Sequence, residues 1–405
     1  MDVLNLIGGR WVEGDGAEFA SANPARPAEV VARGRFASPA EVERAVAAAR
    51  EAAPGWAATP HHARAAVLTA AAGLIDDSAD AWGAELAREE GKTLPEAVAE
   101  VRGAARILRY YAGEADRESG EVYASPRPGE NVLVVRKPIG VAGMITPFNF
   151  PIAIPAWKIA PALSYGNTVV WKPSSLVPLL AYRLARALTD AGLPGGVLNL
   201  VHGEGDAGSA IVDHPGVDAV SFTGSTAVGR AVIARCGELG KPVQTEMGPL
   251  VSSAARDRVT AGVARAVAEG AEPLAGGEPL DRDGWFTPPT VLGLPGTGVD
   301  FWRTELFGPV VGAVRASGAE EALALADLSD HGLSAAVFTR DLGVALSAVD
   351  RLEVGVLHVN SESAGTFPHV PFGGAKQSGF GPKEQGRAAR EFYTRTVTVY
   401  LGAPA

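Results

Sequence analysis

A chain of 405 residues, 47% hydrophobic and 20% charged, has the make-up of a packed globular protein. It exceeds what one core usually supports, so two domains are predicted. A formal net charge of −10 with no cluster of Lys or Arg excludes polyanionic partners such as nucleic acid from first consideration. The single cysteine, Cys236, rules out an internal disulfide framework and fits a reducing compartment. Residues 1–5 lack the basic start of a signal peptide, and no apolar run approaches spanning length. A cytoplasmic protein without a membrane span is expected.

The first third reads as helical. Ser38-Pro39-Ala40-Glu41 is a capping box with proline at the first helical position, followed by Val42, Ala45, Val46 and Ala49 at helical spacing. Thr59-Pro60 opens a second helix, Gly91 is a stop after a third, and a fourth runs over 94–117. From residue 132 the pattern changes to a short strand, 132–136, ended by Lys137-Pro138. Strands are then predicted at 141–145, 168–171, 197–201, 219–223 and 242–246, with helices between them at 154–164, 178–191, 207–213 and 226–235. Five strands separated by helices predict an open parallel sheet, which binds ligands outside the carboxyl ends of its strands. Further on, a helix over 253–269 leads to a glycine-rich turn over 270–277. Strands at 310–315, 335–339 and 355–359 alternate with helices at 319–328 and 341–351, and 396–400 reads as a terminal strand.

The polar and glycine-rich clusters fall at the predicted strand ends. Thr146-Pro147-Phe148-Asn149 follows the first sheet strand. The Asn149 amide can donate to an oxyanion there, or the segment can be a turn that satisfies its own backbone. Lys172, pinned by Pro173 and followed by Ser174-Ser175, can contact ribose hydroxyls or a phosphate, or can be a solvated strand-end lysine. Gly203-Glu204-Gly205-Asp206-Ala207-Gly208 is a literal G-x-G-x-x-G, but its two carboxylates oppose a pyrophosphate, and no acidic residue ends the next strand. Phe222-Thr223-Gly224-Ser225 is the better anion site, since it runs from a strand into a helix start. Glu246 closes the last strand and is expected to face the same crevice as Asn149 as a general base; alone, such a residue is usually just solvated.

The order and spacing of these clusters resemble the aldehyde dehydrogenase superfamily. The resemblance runs from Leu6-Ile7-Gly8-Gly9 to the terminal strand with one break. Further matches are Glu305-Leu306-Phe307-Gly308-Pro309 and Pro371-Phe372-Gly373-Gly374-Ala375-Lys376-Gln377-Ser378-Gly379. Residues 149–158, Glu246-Met247-Gly248 and the tail 381–387 look most like the 2-oxoglutarate semialdehyde (2,5-dioxovalerate) dehydrogenase branch. The resemblance implies that Asn149 stabilises the oxyanion and that Glu246 activates water for deacylation. It places Thr146, Pro147, Lys172, Ser175, Gly224 and Ser225 on the cofactor, Lys172 at the adenosine ribose and Ser225 at the pyrophosphate. It puts Glu305 on the nicotinamide ribose and Phe307 beside the nicotinamide. Ser175 stands where NAD-preferring members often carry a glutamate, so NADP as well as NAD is expected as cofactor.

The break follows Glu246. Where the family continues towards a Gly-Gln-x-Cys loop, this chain has Met247-Gly248-Pro249-Leu250-Val251-Ser252, which resembles a segment from well past that loop. An in-frame deletion between two similar stretches accounts for the seam, and sequencing the source gene tests it. Cys236, about three turns into a helix, is expected to be a small buried residue rather than a substitute nucleophile.

The expected fold is therefore α/β and aldehyde dehydrogenase-like. It has a Rossmann-type parallel-sheet cofactor domain (1–119 and 139–246), a truncated α/β catalytic domain (247–380), and a β-arm for oligomerisation (120–138 and 381–405). By family, the function is NAD(P)-dependent oxidation of a small-molecule aldehyde, with activity weak or absent, in a homodimer or homotetramer. The competing readings are a cofactor-binding pseudoenzyme that regulates or joins active paralogues, and a defective product whose catalytic half is unstable.

Overall fold

The structure is a computed structural model and describes residues 1–247, 253–278, 280, 283–363 and 365–402. The seam at 248–252 lies outside the described residues. The first 35 residues, expected to be helical, instead form strands: β1 (Asn5–Ile7), β2 (Arg10–Val12), β3 (Glu18–Asn23) and β4 (Arg26–Arg35). Helices α1 (Pro39–Ala58), α2 (His61–Asp77), α3 (Ala79–Glu90) and α4 (Leu94–Ala112) follow. The start of α1 and the end of α3 obey the predicted signals, while α4 ends at Ala112, short of the expected 117, and starts at a capping box that was not anticipated. Ser38 and Glu41 form the capping box of α1, Thr93 and Glu96 that of α4, and Gly91 ends α3 at φ 95°.

Then come β5 (Gly120–Ala124), β6 (Asn131–Pro138), β7 (Val141–Ile145), α5 (Ala153–Ser164), β8 (Thr168–Lys172), α6 (Pro178–Asp190), β9 (Leu198–Leu200), α7 (Gly205–Asp213), β10 (Ala219–Gly224), α8 (Thr226–Leu239) and β11 (Val243–Met247). The remainder comprises α9 (Ser253–Ala268), β12 (Glu272–Ala275), β13 (Thr290–Gly293), β14 (Val310–Ala313), α10 (Ala319–Asp327), β15 (His331–Gly332), β16 (Ser334–Val337), α11 (Leu342–Arg351), β17 (Val356–Val359), β18 (Ala375–Lys376), β19 (Gly379–Phe380), α12 (Gly386–Tyr393) and β20 (Thr394–Leu401).

The principal sheet has the order β19-β11-β10-β7-β8-β9-β1-β2. Its five central strands are parallel, as expected, and antiparallel strands close both edges. Every residue of β8 is buried, because helices cover both faces. One core lies under α2 to α6 and includes Trp171, Leu108 and Ile159; the other lies under α1, α7 and α8 and includes Val46, Ile211 and Cys236. A separate sheet, β20-β6-β5, forms the predicted arm.

Beyond the seam, apart from β19 in the principal sheet and β20 in the arm, the strands fall into small groups, β12-β13-β14, β15-β18 and β16-β17. Val311, Phe338, Leu342 and Val349 are exposed there by 61–72%, the uncovered apolar surface that loss of a sheet segment predicts.

A long-range contact ties α3 to β3 and to the start of α6. The buried Glu89 carboxylate accepts hydrogen bonds from Ser21 Oγ (2.6 Å) and the Leu179 amide (3.1 Å) at the start of α6. That helix has no side-chain cap of its own. Glu89→Ala orphans both donors and should cost about 2 kcal/mol, read as a lower urea midpoint with unchanged slope.

Candidate functional site

The carboxyl ends of the parallel strands open onto a cavity of about 590 Å³. Thr146, Pro147, Lys172, Ser175, Gly224 and Ser225 all line it, so six of the ten expected site residues meet at one place. Ser225 is the N-cap of α8 with extended backbone, and its hydroxyl makes no capping bond. The first amides of α8 therefore lack a side-chain cap beside the cavity, the arrangement that binds phosphate oxygens. Thr223 Oγ1, also on the lining, is buried without a partner. Lys172 is buried, donates from Nζ to the Gly203 carbonyl (2.9 Å), and has its pKa pushed down to about 8 by burial. A volume of this size, a helix start without a side-chain cap and a buried amine fit a dinucleotide.

Asn149 lies one residue beyond this lining, and its loop is held from below. Lys92 Nζ donates to the Asn149 carbonyl (2.8 Å) and to Glu100 (2.6 Å). Glu100 in turn accepts the amides of Ile152 and Ala153, both at 3.2 Å, at the start of α5. The side-chain Oδ1 of Asn149 is sealed from solvent with no partner.

Glu246 does not share this cavity. Strand β19 pairs antiparallel to β11, with Gly379 opposite Glu246, and the 372–384 loop closes over the carboxylate. The space left beside it is about 10 Å³, room for roughly one water. Burial, with the Glu384 carboxylate adding to it, pushes the Glu246 pKa up to about 8, while Lys158 and Lys383 oppose the shift. Its Oε1 has no hydrogen-bond partner.

Glu305 stands outside the cavity lining with much of its surface open to solvent; partial desolvation of its carboxyl raises its pKa, and His331 and Arg258 oppose the shift. Phe307, in a left-handed conformation at φ 50°, stands edge-on to Phe148 with ring centroids 6.5 Å apart.

A polar cluster around Glu246 had no role in the sequence reading. Lys158 is fully buried, pairs with Glu384, and donates to Ser221 Oγ (2.9 Å), which also accepts from Gln244 Nε2 (2.9 Å). The available signal was Lys158 itself, the one charged side chain in a helix that is apolar elsewhere up to its last residue, Ser164. Such a residue demands a buried counter-charge.

Cys236 lies inside the core under α8, fully buried, with its thiol pKa raised by burial. A protonated thiol of this kind is not a nucleophile. Cys236→Ala should leave any residual aldehyde turnover unchanged, measured as nicotinamide reduction; loss of turnover would make it the nucleophile. No helix among the described residues is long and apolar enough to cross a membrane. No group of three or more His, Cys, Asp or Glu among them could hold a metal.

The chain belongs to the aldehyde dehydrogenase family. The family model matches it in two stretches, residues 11–248 and 238–399, which meet at the seam. It is 33% identical to the alpha-ketoglutaric semialdehyde dehydrogenase of Bacillus subtilis, over 98% of both chains. It is 36% identical to the alpha-ketoglutarate semialdehyde dehydrogenase of Haloferax volcanii, again over 98% of both. The first of these alignments runs 476 positions against a chain of 405, so at least 71 of them have no residue here. In three dimensions the chain is similar to the crystal structure of an NAD-dependent aldehyde dehydrogenase from Sinorhizobium meliloti. The TM-score is 0.95 and the identity 29%, over 100% of this chain and 96% of that one. The fold is thus the family's, with a Rossmann-type cofactor part, a catalytic-like α/β part and the β-arm, but the family's catalytic cysteine is absent.

Proposed function

We propose that this protein is a nicotinamide-dinucleotide-binding member of the 2-oxoglutarate semialdehyde dehydrogenase branch whose aldehyde oxidation is weak or lost. The observation that carries this reading is the contrast between a well-formed 590 Å³ cavity at the strand ends and the closed, roughly water-sized space beside Glu246. The names of the Bacillus and Haloferax relatives support the branch, and that of the Sinorhizobium structure supports NAD. Within the cavity, Lys172 would hold the adenosine ribose, and Ser225 with the first amides of α8 the pyrophosphate. Thr146 and Pro147 would flank the nicotinamide side, with Glu305 and Phe307 reaching it from the other half of the molecule. Bound there, the dinucleotide would supply a hydride acceptor. Asn149 would donate its amide to an aldehyde oxygen, and Glu246 would serve as base only when ionised. Through its arm the chain would pair with a second copy or an active paralogue, as a cofactor-binding pseudoenzyme in a dimer or tetramer.

Ligand that binds only the folded state raises its stability, by about 2.7 kcal/mol at a hundred times Kd. NAD should therefore raise the melting temperature by several degrees, and Ser225→Ala and Lys172→Ala should blunt that rise. No shift with either NAD or NADP would contradict the proposal.

A further inference from the structure

The acidic loop before α7 has no part in the function proposed above, yet it forms one wall of the dinucleotide cavity. Glu204 and Gly205 line that cavity together with Lys172, Ser174 and Ser175. We propose that Glu204 makes this site select a dinucleotide with a free 2′-hydroxyl, NAD, against its 2′-phosphorylated counterpart, NADP. The inference rests on the cavity being the dinucleotide site.

The charges on the lining carry it. Two cations are present, Lys172 and Arg235. Arg235 is already engaged, by Asp213 at 2.6 Å and Glu238 at 2.8 Å. The Lys172 ammonium is directed at the Gly203 carbonyl, the residue before Glu204, and feels the Glu204 and Asp206 carboxylates. Asp206 is turned back onto its own chain, accepting the Ala207 amide at 2.8 Å. Glu204 is exposed and has no ion-pair partner among the described residues. Ser174 and Ser175 are neutral. A 2′-phosphate beside Lys172 would bring close to two negative charges to a place with no free guanidinium, where the one ammonium already faces the Glu204 and Asp206 carboxylates. The ribose hydroxyls of NAD need only hydrogen-bond partners, which Lys172, Ser175 and the Glu204 carboxylate can provide. Two features favour the phosphate: the Lys172 ammonium, which already faces the Glu204 and Asp206 carboxylates, and the start of α7, whose N-cap is Glu204 itself without a side-chain capping bond. That helix end carries about half a charge, against a full charge on the carboxylate. The acidic side chain therefore overrides what serine at 175 would permit.

The test is a calorimetric titration of NAD and NADP into the full chain and into its Glu204→Gln and Glu204→Arg variants, at low salt and at about 0.5 M salt. The ratio of the NADP to the NAD dissociation constant should exceed about 10 in the unaltered protein. It should fall roughly fivefold or more in Glu204→Gln and further in Glu204→Arg, and the difference between the proteins should shrink as salt screens the exposed carboxylate. An unaltered protein that prefers NADP, or a ratio indifferent to both substitutions, overturns the proposal. Binding of neither dinucleotide overturns the cavity assignment itself, a result distinct from a wrong preference.

Discussion

Purified protein given NAD and 2-oxoglutarate semialdehyde should reduce nicotinamide at least about 10⁴-fold more slowly than a relative that keeps its cysteine. Hydride leaves an aldehyde readily only from a tetrahedral carbon, and in this family a thiolate adds to make one. The only sulfur nucleophile here, Cys236, is buried in the core under α8. The remaining route is the aldehyde hydrate with Glu246 as base, and two features oppose it. The space at Glu246 is about 10 Å³, too small for a hydrated dicarbonyl compound. Its pKa of about 8 also leaves most of the carboxyl protonated at neutral pH. Any trace activity through Glu246 should rise between pH 7 and 9 and vanish in Glu246→Gln. Turnover within tenfold of an intact relative, lost in that variant, would show a dehydrogenase that works without cysteine.

The largest stability loss is expected at Lys158. In Lys158→Met the Glu384 carboxylate loses its ion partner inside the core, and Ser221 loses a donor. Breaking a buried pair from one side costs about 3–5 kcal/mol. The size depends on pH with a defined sign. The Glu246 pKa is raised in the folded state, from 4.5 to about 8, and Lys158 is one of two groups that hold it down. A raised carboxyl pKa contributes stability that is fully present below about 4.5 and is lost as pH rises through the folded value. Removing the lysine pushes that pKa higher, so the loss should be greatest near pH 8.5 and smallest near pH 5. Adding Glu384→Gln should restore much of it, since a neutral amide needs no counter-charge. Urea unfolding of the single and double variants at both pH values measures this; equal losses at the two would count against the coupling to Glu246, and no rescue by Glu384→Gln against the buried pair.

The parallel sheet was legible because each strand is a short apolar run followed by its own turn signal. For β7 the predicted limits coincide with the observed Val141–Ile145. The strands of the first 35 residues were not legible. β3 and β4 form a bulged ladder with irregular burial, which removes the alternation that identifies a half-buried strand. Strand β12 lies within what read as a glycine-rich turn; it contains Pro273, and all four of its residues are exposed. Two-residue strands such as β18 and β19 carry no period at all, yet β19 is what closes the edge beside Glu246. The residues that line the strand-end cavity were readable as a group because each sits next to a strand end in its own stretch of sequence. The Lys158–Glu384 pair spans 226 residues, and no local spacing announces it. The loss of the cysteine segment was readable from residue order alone, and the division of the family match at 238–248 agrees with it.

The dinucleotide site is expected to outlive the family's chemistry, and one calorimetric titration addresses both halves. NAD would be injected into the protein in the presence of saturating 2-oxoglutarate semialdehyde. The expected result is a finite binding isotherm that saturates near one NAD per chain, with the baseline returning to zero after each injection. A sustained heat of reaction after injection, or no binding heat at all, would contradict it.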